Sequence, residues 1–161
     1  MSFKEKVIYQ IYPKSFLDTN QDGVGDLPGI EKKLPYLKRL GVDMVWLSPI
    51  YPSPQNDNGY DVADYTAINP MFGTMDDFES LMATAKDNGI EIMLDMVFNH
   101  VSIEHDWFQK ALAGDQKYQD YFILRDKPTD WVSKFGGNAW APFGDTGTVS
   151  YTHLTLPTIL R

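Results

Sequence analysis

Glu91-Ile92-Met93-Leu94-Asp95-Met96-Val97-Phe98-Asn99-His100 begins as a strand pattern and ends with an amide and an imidazole, with a carboxylate between. It follows a helical pattern that stops at Gly89, and a short continuous apolar run in that position reads as a parallel-sheet strand covered on both faces. Asp95 is the anomaly inside it. A carboxylate buried without a partner costs several kcal/mol, so Asp95 is expected near the strand's end, facing a cation or a hydrogen-bonded site. Side chains alternate along a strand, so Asp95 and His100 would point to opposite faces if the strand ran through both. The strand is therefore expected to stop near Val97 or Phe98, with Asn99 and His100 turning into the site from the loop. The competing reading is an ordinary strand end with a satisfied core histidine.

Upstream, Lys6 to Tyr12 is rich in strand formers and ends at Pro13, which cannot continue a ladder, so it is expected to be the first strand. Pro28 to Leu40 carries Ile30, Leu34, Leu37 and Leu40 at helical spacing and stops at Gly41. Pro35 should kink this helix or delay its start. Asp43 to Leu47 reads as a second strand closed by Ser48-Pro49. The polar loop Gln55 to Asp61 then holds more Asn, Asp and Gly than a turn requires. Thr74 caps a second helix with Asp76 and Asp77 in its first turn, running to about Asn88.

Strand, helix, strand, helix, strand with short connections predicts a parallel α/β sheet built from right-handed crossovers. A doubly wound nucleotide-binding sheet would place a glycine-rich turn after the first strand. Here the glycines sit among carboxylates, which would repel a phosphate. A (β/α)8 TIM barrel gathers its chemistry at the carboxyl ends of successive strands, where Tyr12, the Asp57 to Asp61 loop and Asp95 to His100 fall. The barrel is the better reading, with residues 1–100 as its first three strand-helix units. Residues 101–147, irregular and aromatic around Trp107, Trp131, Phe135 and Trp140, are expected to start a small domain inserted after strand 3.

The chain has 161 residues, no cysteine, a net charge of -8 and 14% aromatic residues. Missing cysteine excludes disulfides and thiolate metal sites, and an acidic balance without a basic patch argues against nucleic acid. No apolar run approaches the roughly 20 residues of a membrane helix, and Met1 to Gln10 lacks a signal-peptide pattern. A soluble, cytoplasmic protein is expected. Aromatics beside Asp, Asn and Gly in loops suggest carbohydrate, although core packing accounts for most of them. Asp18-Thr19-Asn20-Gln21-Asp22-Gly23-Val24-Gly25-Asp26 offers oxygen ligands at alternate positions, a calcium-type loop. Gly29 stands where an EF-hand needs Glu, so the loop is not an EF-hand. His100-x-x-x-Glu104-His105 matches neither common zinc-protease pattern, and His105 is expected to pack locally.

The segments Val7 to Phe16, Asp18 to Asp26, Asp57-Asn58-Gly59-Tyr60-Asp61 and Asp95 to His100 together resemble the amino-terminal portion of the alpha-amylase family of glycoside hydrolases (glycoside hydrolase family 13). The resemblance runs from about Lys6 to Gly147 and is nearest to the branch of oligo-1,6-glucosidases and trehalose-6-phosphate hydrolases. It implies that Asp18, Asn20, Asp22, Val24 (by its carbonyl) and Asp26 hold a structural calcium ion, Ca2+. It also implies that Tyr60 stacks on the glucose before the scissile bond, while Asp57 and His100 hydrogen-bond its hydroxyls. Asp95 would orient an arginine further along the family's chain, and Phe135 would be lent to the pocket by the inserted domain. An aromatic face and a ring of carboxylates suit a sugar.

Retaining hydrolysis needs two carboxyl groups about 5 Å apart, and in this family they follow the fourth and fifth strands, which this chain does not reach. The expectation is therefore an amino-terminal fragment, inactive alone, with no catalytic residue of its own. The tail from Thr148 to Arg161 loses its acids, departs from the family's pattern and is expected to be foreign to the gene. The activity implied is an alpha-glucosidase type acting on a small carbohydrate, trehalose 6-phosphate in preference to isomalto-oligosaccharides, giving glucose and glucose 6-phosphate. Lys14 and the run from Ser53 to Tyr65 favour the phosphorylated substrate. The non-catalytic alternative is a relative of transporter heavy chains, which carry a membrane helix before the barrel; the start of this chain almost at its first strand argues against it.

Overall fold

A computed structural model of the chain describes residues 2–133, 136–144 and 149–151. The chain divides into two compact units, one built from residues up to Tyr60 together with Asp64–Met96, the other from Asp61–Ala63 and the chain from Val97 onward.

The first unit holds strands β1 (Ile8–Ile11), β2 (Met44–Leu47) and β3 (Glu91–Leu94) and helices α1 (Pro13–Phe16), α2 (Leu27–Arg39) and α3 (Met75–Asp87). The strands are parallel in the order β1-β2-β3, with Ile11 opposite Leu47 and Leu47 opposite Leu94. One face of this sheet carries Ile11, Val45, Leu47, Ile92 and Leu94 into a core with Leu27, Ile30, Leu34 and Leu37 of α2 and Leu81 and Ala85 of α3. Fully burying each leucine or isoleucine contributes about 1.5–3 kcal/mol. Alternation along the strands puts Gln10, Trp46 and Met93 on the opposite face.

Local chemistry sets the helix starts. Asp26 caps α2 by accepting the Gly29 N–H at 2.7 Å, and Thr74 and Asp77 form a reciprocal capping box at α3. Glu31 ties the helices together by accepting the hydroxyls of Ser80 at 3.0 Å and Thr84 at 2.7 Å. The α2 helix starts one residue before the expected Pro28 because the cap is Asp26, and it continues through Pro35.

Two strand ends differ from expectation. The first strand begins at Ile8 because the Asp43 carboxylate takes the Val7 N–H at 2.9 Å while the Val7 carbonyl accepts from both Asp43 and Met44. It ends at Ile11, since Pro13 opens the short helix α1. The third strand stops at Leu94, short of Val97. Its last rung is the Asp95 N–H on the Leu47 carbonyl at 3.1 Å, and beyond Leu47 the neighbour becomes Ser48-Pro49, which has no N–H at Pro49 to continue a ladder.

The second unit contains helices α4 (Asp106–Leu112) and α5 (Gln116–Gln119) and an antiparallel sheet of β4 (Leu124–Arg125), β5 (Trp140–Pro142) and β6 (Val149–Tyr151), ordered β4-β6-β5. Edge-on ring contacts link Phe108 to Phe122 and Phe143, and Trp107 to Tyr121. His105 packs locally as expected: it is 7% exposed, meets Trp107 edge-on, and its Nδ1 accepts the Trp107 N–H that opens α4.

Candidate functional site

The parallel register extends past the strand ends. Ser48 N–H donates to the Ile11 carbonyl at 3.0 Å and Asp95 N–H to the Leu47 carbonyl at 3.1 Å. Tyr12, Ser48 and Asp95 therefore form one row across the carboxyl ends of β1, β2 and β3. Ile11, Leu47 and Leu94 face the helices, so alternation turns this next row to the other face. Gln10, in the row below, reaches up to Ser48 Oγ at 3.4 Å.

The loop after β2 brings in Tyr60. Asn58 donates to the Gln55 carbonyl and Tyr60 to the Asp57 carbonyl, at 3.4 and 3.0 Å. The backbone is left-handed at Gln55 (φ 64°), Asn58 (φ 51°) and Gly59 (φ 96°). Asn and Gly tolerate that region best, so part of the unusual Asn and Gly density serves the turn itself. The loop delivers the Tyr60 hydroxyl to Asp95 Oδ2 at 3.0 Å. Burial, the hydrogen bond to Asp95 and its negative charge, and the Tyr12 hydroxyl all hold the Tyr60 phenol protonated well above its ordinary range. Burial and then the Asp95 charge push Tyr51 up as well. Burial and then Tyr51 push Tyr65 up to about 12. The anomalous carboxylate in the third strand pattern thus faces a hydrogen-bonded site ringed by tyrosines.

Of the residues expected in a sugar pocket, Tyr60 and Asp95 meet directly. Asp57 is half-buried one turn before Tyr60 and contributes its carbonyl to that turn. His100 belongs to the second unit, where its Nδ1 lies 3.2 Å from the Asn99 amide nitrogen. Phe135 lies outside the described residues. Tyr12 lies at the sheet's carboxyl end, where the sequence placed it without giving it a role, and Tyr51 and Tyr65 are additions that sequence reasoning did not assign to the site. Among the described residues, neither amide atom of Gln55, both buried, has a hydrogen-bond partner.

The Asp18–Asp26 loop curls tightly through Gln21 (φ 67°) and Gly23 (φ 90°). Asp18 accepts from the N–H groups of Gly23, Gln21 and Asn20, at 2.8, 2.7 and 3.1 Å. The Gly23 bond is the main reason its carboxyl sits below the usual carboxylate range. Asn20 Oδ1 accepts from Asp22 N–H at 3.0 Å, and Asp22 Oδ1 from Val24 N–H at 2.8 Å. This set of hard oxygens fits a calcium ion chemically. Asp26 is different, because it is 5% exposed and its Oδ2 accepts from both the N–H and the hydroxyl of Thr19 at 2.8 Å while Oδ1 caps α2. Among the described residues no three His, Asp or Glu side chains are grouped as metal ligands.

A polar site at the carboxyl ends of a parallel sheet, with helices on the other face, defines a β/α-barrel type of protein, and the alpha amylase catalytic-domain family matches residues 10–158. The chain belongs to the alpha-amylase family. Trehalose-6-phosphate hydrolase of Escherichia coli is 54% identical over 156 residues, covering 94% of this chain and 28% of that protein. Glucan 1,6-alpha-glucosidase of Streptococcus pneumoniae is 56% identical over 135 residues, covering 83% of this chain and 25% of that protein. The crystal structure of Bacillus licheniformis trehalose-6-phosphate hydrolase superimposes with a TM-score of 0.88 at 50% identity, over 94% of this chain and 28% of that one. The chain thus spans about a quarter of the length of its relatives, and its fold is that of their amino-terminal part.

Proposed function

We propose that the chain forms the amino-terminal part of a retaining alpha-glucoside hydrolase whose preferred substrate is trehalose 6-phosphate, cleaved to glucose and glucose 6-phosphate. The observation that carries this reading is the Tyr60 hydroxyl held 3.0 Å from Asp95 at the carboxyl end of the sheet, in a chain of the alpha-amylase family. A phenol fixed at its hydroxyl presents a ring face for a glucose to stack on, while Asp57 and His100 supply acceptor and donor for its hydroxyls. Asp95 retains lone pairs for an arginine from later in the barrel, and Phe135 adds an aromatic wall. The nucleophile and the acid and base belong to later strands, so the 161 residues alone turn over no glucoside.

Cleavage of isomalto-oligosaccharides is the second reading, supported by 56% identity to a glucan 1,6-alpha-glucosidase. Hydrolysis of trehalose 6-phosphate against isomaltose by the full-length protein separates the two; faster turnover of isomaltose reverses the preference. The loop of Asp18, Asn20, Asp22, Val24 and Asp26 is proposed to hold a structural calcium ion, which calorimetric titration with calcium tests directly. A cytoplasmic site of action is proposed as well. No helix among the described residues is long and apolar enough to cross a membrane, and cell fractionation decides the compartment.

A further inference from the structure

The second unit holds a cavity of about 720 Å³, inside the roughly 300–1,000 Å³ range of small-molecule sites. Phe143, 1% exposed, closes it together with Phe122. Phe108, outside the lining, meets both rings edge-on at 87°, with centroids 5.4 and 5.2 Å away, so this aromatic floor is held in place. The α5 turn adds a polar wall. Gln119 is tied by its amide to the Ala111 carbonyl at 3.1 Å, and Asp120, which follows the helix, accepts the Gln116 amide at 2.9 Å. Arg125 of β4 and Asp126 add charge to the lining. The Arg125 guanidinium bonds the carbonyl of its neighbour Leu124 at 3.0 Å, and it pairs with no carboxylate among the described residues. None of these residues belongs to the set assigned to the glucose that stacks on Tyr60.

The lining rules out most ligand classes. Two carboxylates against one guanidinium repel a phosphate. An apolar ligand would strand all three charges without partners. A neutral polyol satisfies them, because each hydroxyl both donates and accepts: it can give its proton to Asp120 or Asp126 and take one from Arg125. Its C–H face then lies against the aromatic floor. We propose that this cavity is a binding site for a neutral sugar, a glucose unit of an oligosaccharide, held by Arg125, Asp120 and Asp126. The neutral-polyol class rests on the lining alone, and the choice of glucose rests on the reading of the protein as an alpha-glucoside hydrolase.

Phenylglyoxal labelling of Arg125 in the full-length protein, read peptide by peptide by mass spectrometry, tests the site independently of turnover. Arg125 should label readily. Maltose at about ten times its half-protecting concentration should then slow that labelling about 10-fold by mass action, while Arg39, exposed on α2, keeps its rate. Asp126→Ala, at an exposed position, should raise the half-protecting concentration by about 2- to 10-fold, the worth of one ordinary hydrogen bond. An Arg125 that resists labelling before any sugar is added shows the cavity filled by later chain and overturns the proposal. So does a rate that maltose leaves unchanged, equal protection by glycerol, or protection by inorganic phosphate alone. Hydrolysis is scored separately on the same protein: if neither glucoside is cleaved while maltose still protects Arg125, the proposed substrate fails and this site stands.

Discussion

Asp26 carries two candidate roles, and Asp26→Ala distinguishes them. The side chain is 5% exposed and accepts three bonds: from Gly29 N–H at 2.7 Å, and from Thr19 N–H and Thr19 Oγ at 2.8 Å each. Losing an N-cap costs about 1 kcal/mol, and stranding a backbone N–H that bonded a charged acceptor costs about 1.5–3 kcal/mol. The Thr19 hydroxyl can rotate to another acceptor and adds little. The sum is about 2.5–4 kcal/mol, against about 1–2 kcal/mol for Asp26→Asn, which keeps the cap and one oxygen. With a urea slope of about 2 kcal/mol/M the midpoint of Asp26→Ala falls by about 1.2–2 M. The assay is urea unfolding of the chain, followed by circular dichroism, with calcium and with excess chelator. A clasp loses this stability under both conditions. If Asp26→Ala and the parent unfold at the same urea concentration in chelator, the clasp is refuted and Asp26 acts through the ion alone. Asp22 is the control, because its oxygens bond only inside the loop, to Val24 N–H and the Asn20 amide. Asp22→Ala should lose stability mainly when calcium is present.

Gly29→Ala should destabilise the chain by at least about 2–3 kcal/mol in the same unfolding assay, since a Cβ would meet the Leu17 carbonyl oxygen at 2.1 Å; a fall under 1 kcal/mol, to order of magnitude, would show the backbone there yields. Gln55→Leu replaces a buried amide without partners among the described residues and should leave stability unchanged or raise it by up to about 1 kcal/mol, so a clear loss would point to a buried water the amide holds. Alkali should unfold the protein cooperatively. Tyr65 titrates at about 12 when folded against 10.0 ordinarily, and Tyr60 is raised too, so the folded state binds more protons above pH 10 and stability falls from there through pH 12. Tyrosine ionisation followed by ultraviolet absorbance that is complete near pH 10 in folded protein would contradict this. A genomic read through codons 148–161 tests whether the tail is foreign; a reading frame that continues unchanged through it removes that idea.

The alternation of β1, α2, β2, α3 and β3 was legible because each element is specified locally. Ile30, Leu34 and Leu37 repeat at helical spacing and are buried, while Leu40, read into the same stripe, falls at the helix's C-cap and is exposed; Thr74 and Asp77 announce a helix start, and Gly41 and Gly89 take the left-handed turns after the helices. Strand ends were less legible because a neighbour decides them. The third strand's apolar run continues to Phe98, yet the ladder stops where β2 gives way to Ser48-Pro49. Periodicity along one segment carries no information about the partner's last donor. Asp26 was read from spacing as one more loop oxygen; its burial and its cap on α2 depend on the helix that follows.

The same distinction explains why Asp95 was noticed and its partners were not. A single acid in an apolar strand is visible from composition, since its burial must be offset by some partner. Which partner answers it depends on a loop 35 residues earlier that turns through three left-handed residues to deliver Tyr60, and Tyr12 shares its row, with Ser48 between, only because β1 pairs with β2 and β2 with β3. Neither placement follows from spacing. Their chemistry nevertheless limits what Asp95 can do: with a raised-pKa phenol donating to it, it is an acceptor held in place, suited to orient a cation and to fix a ring.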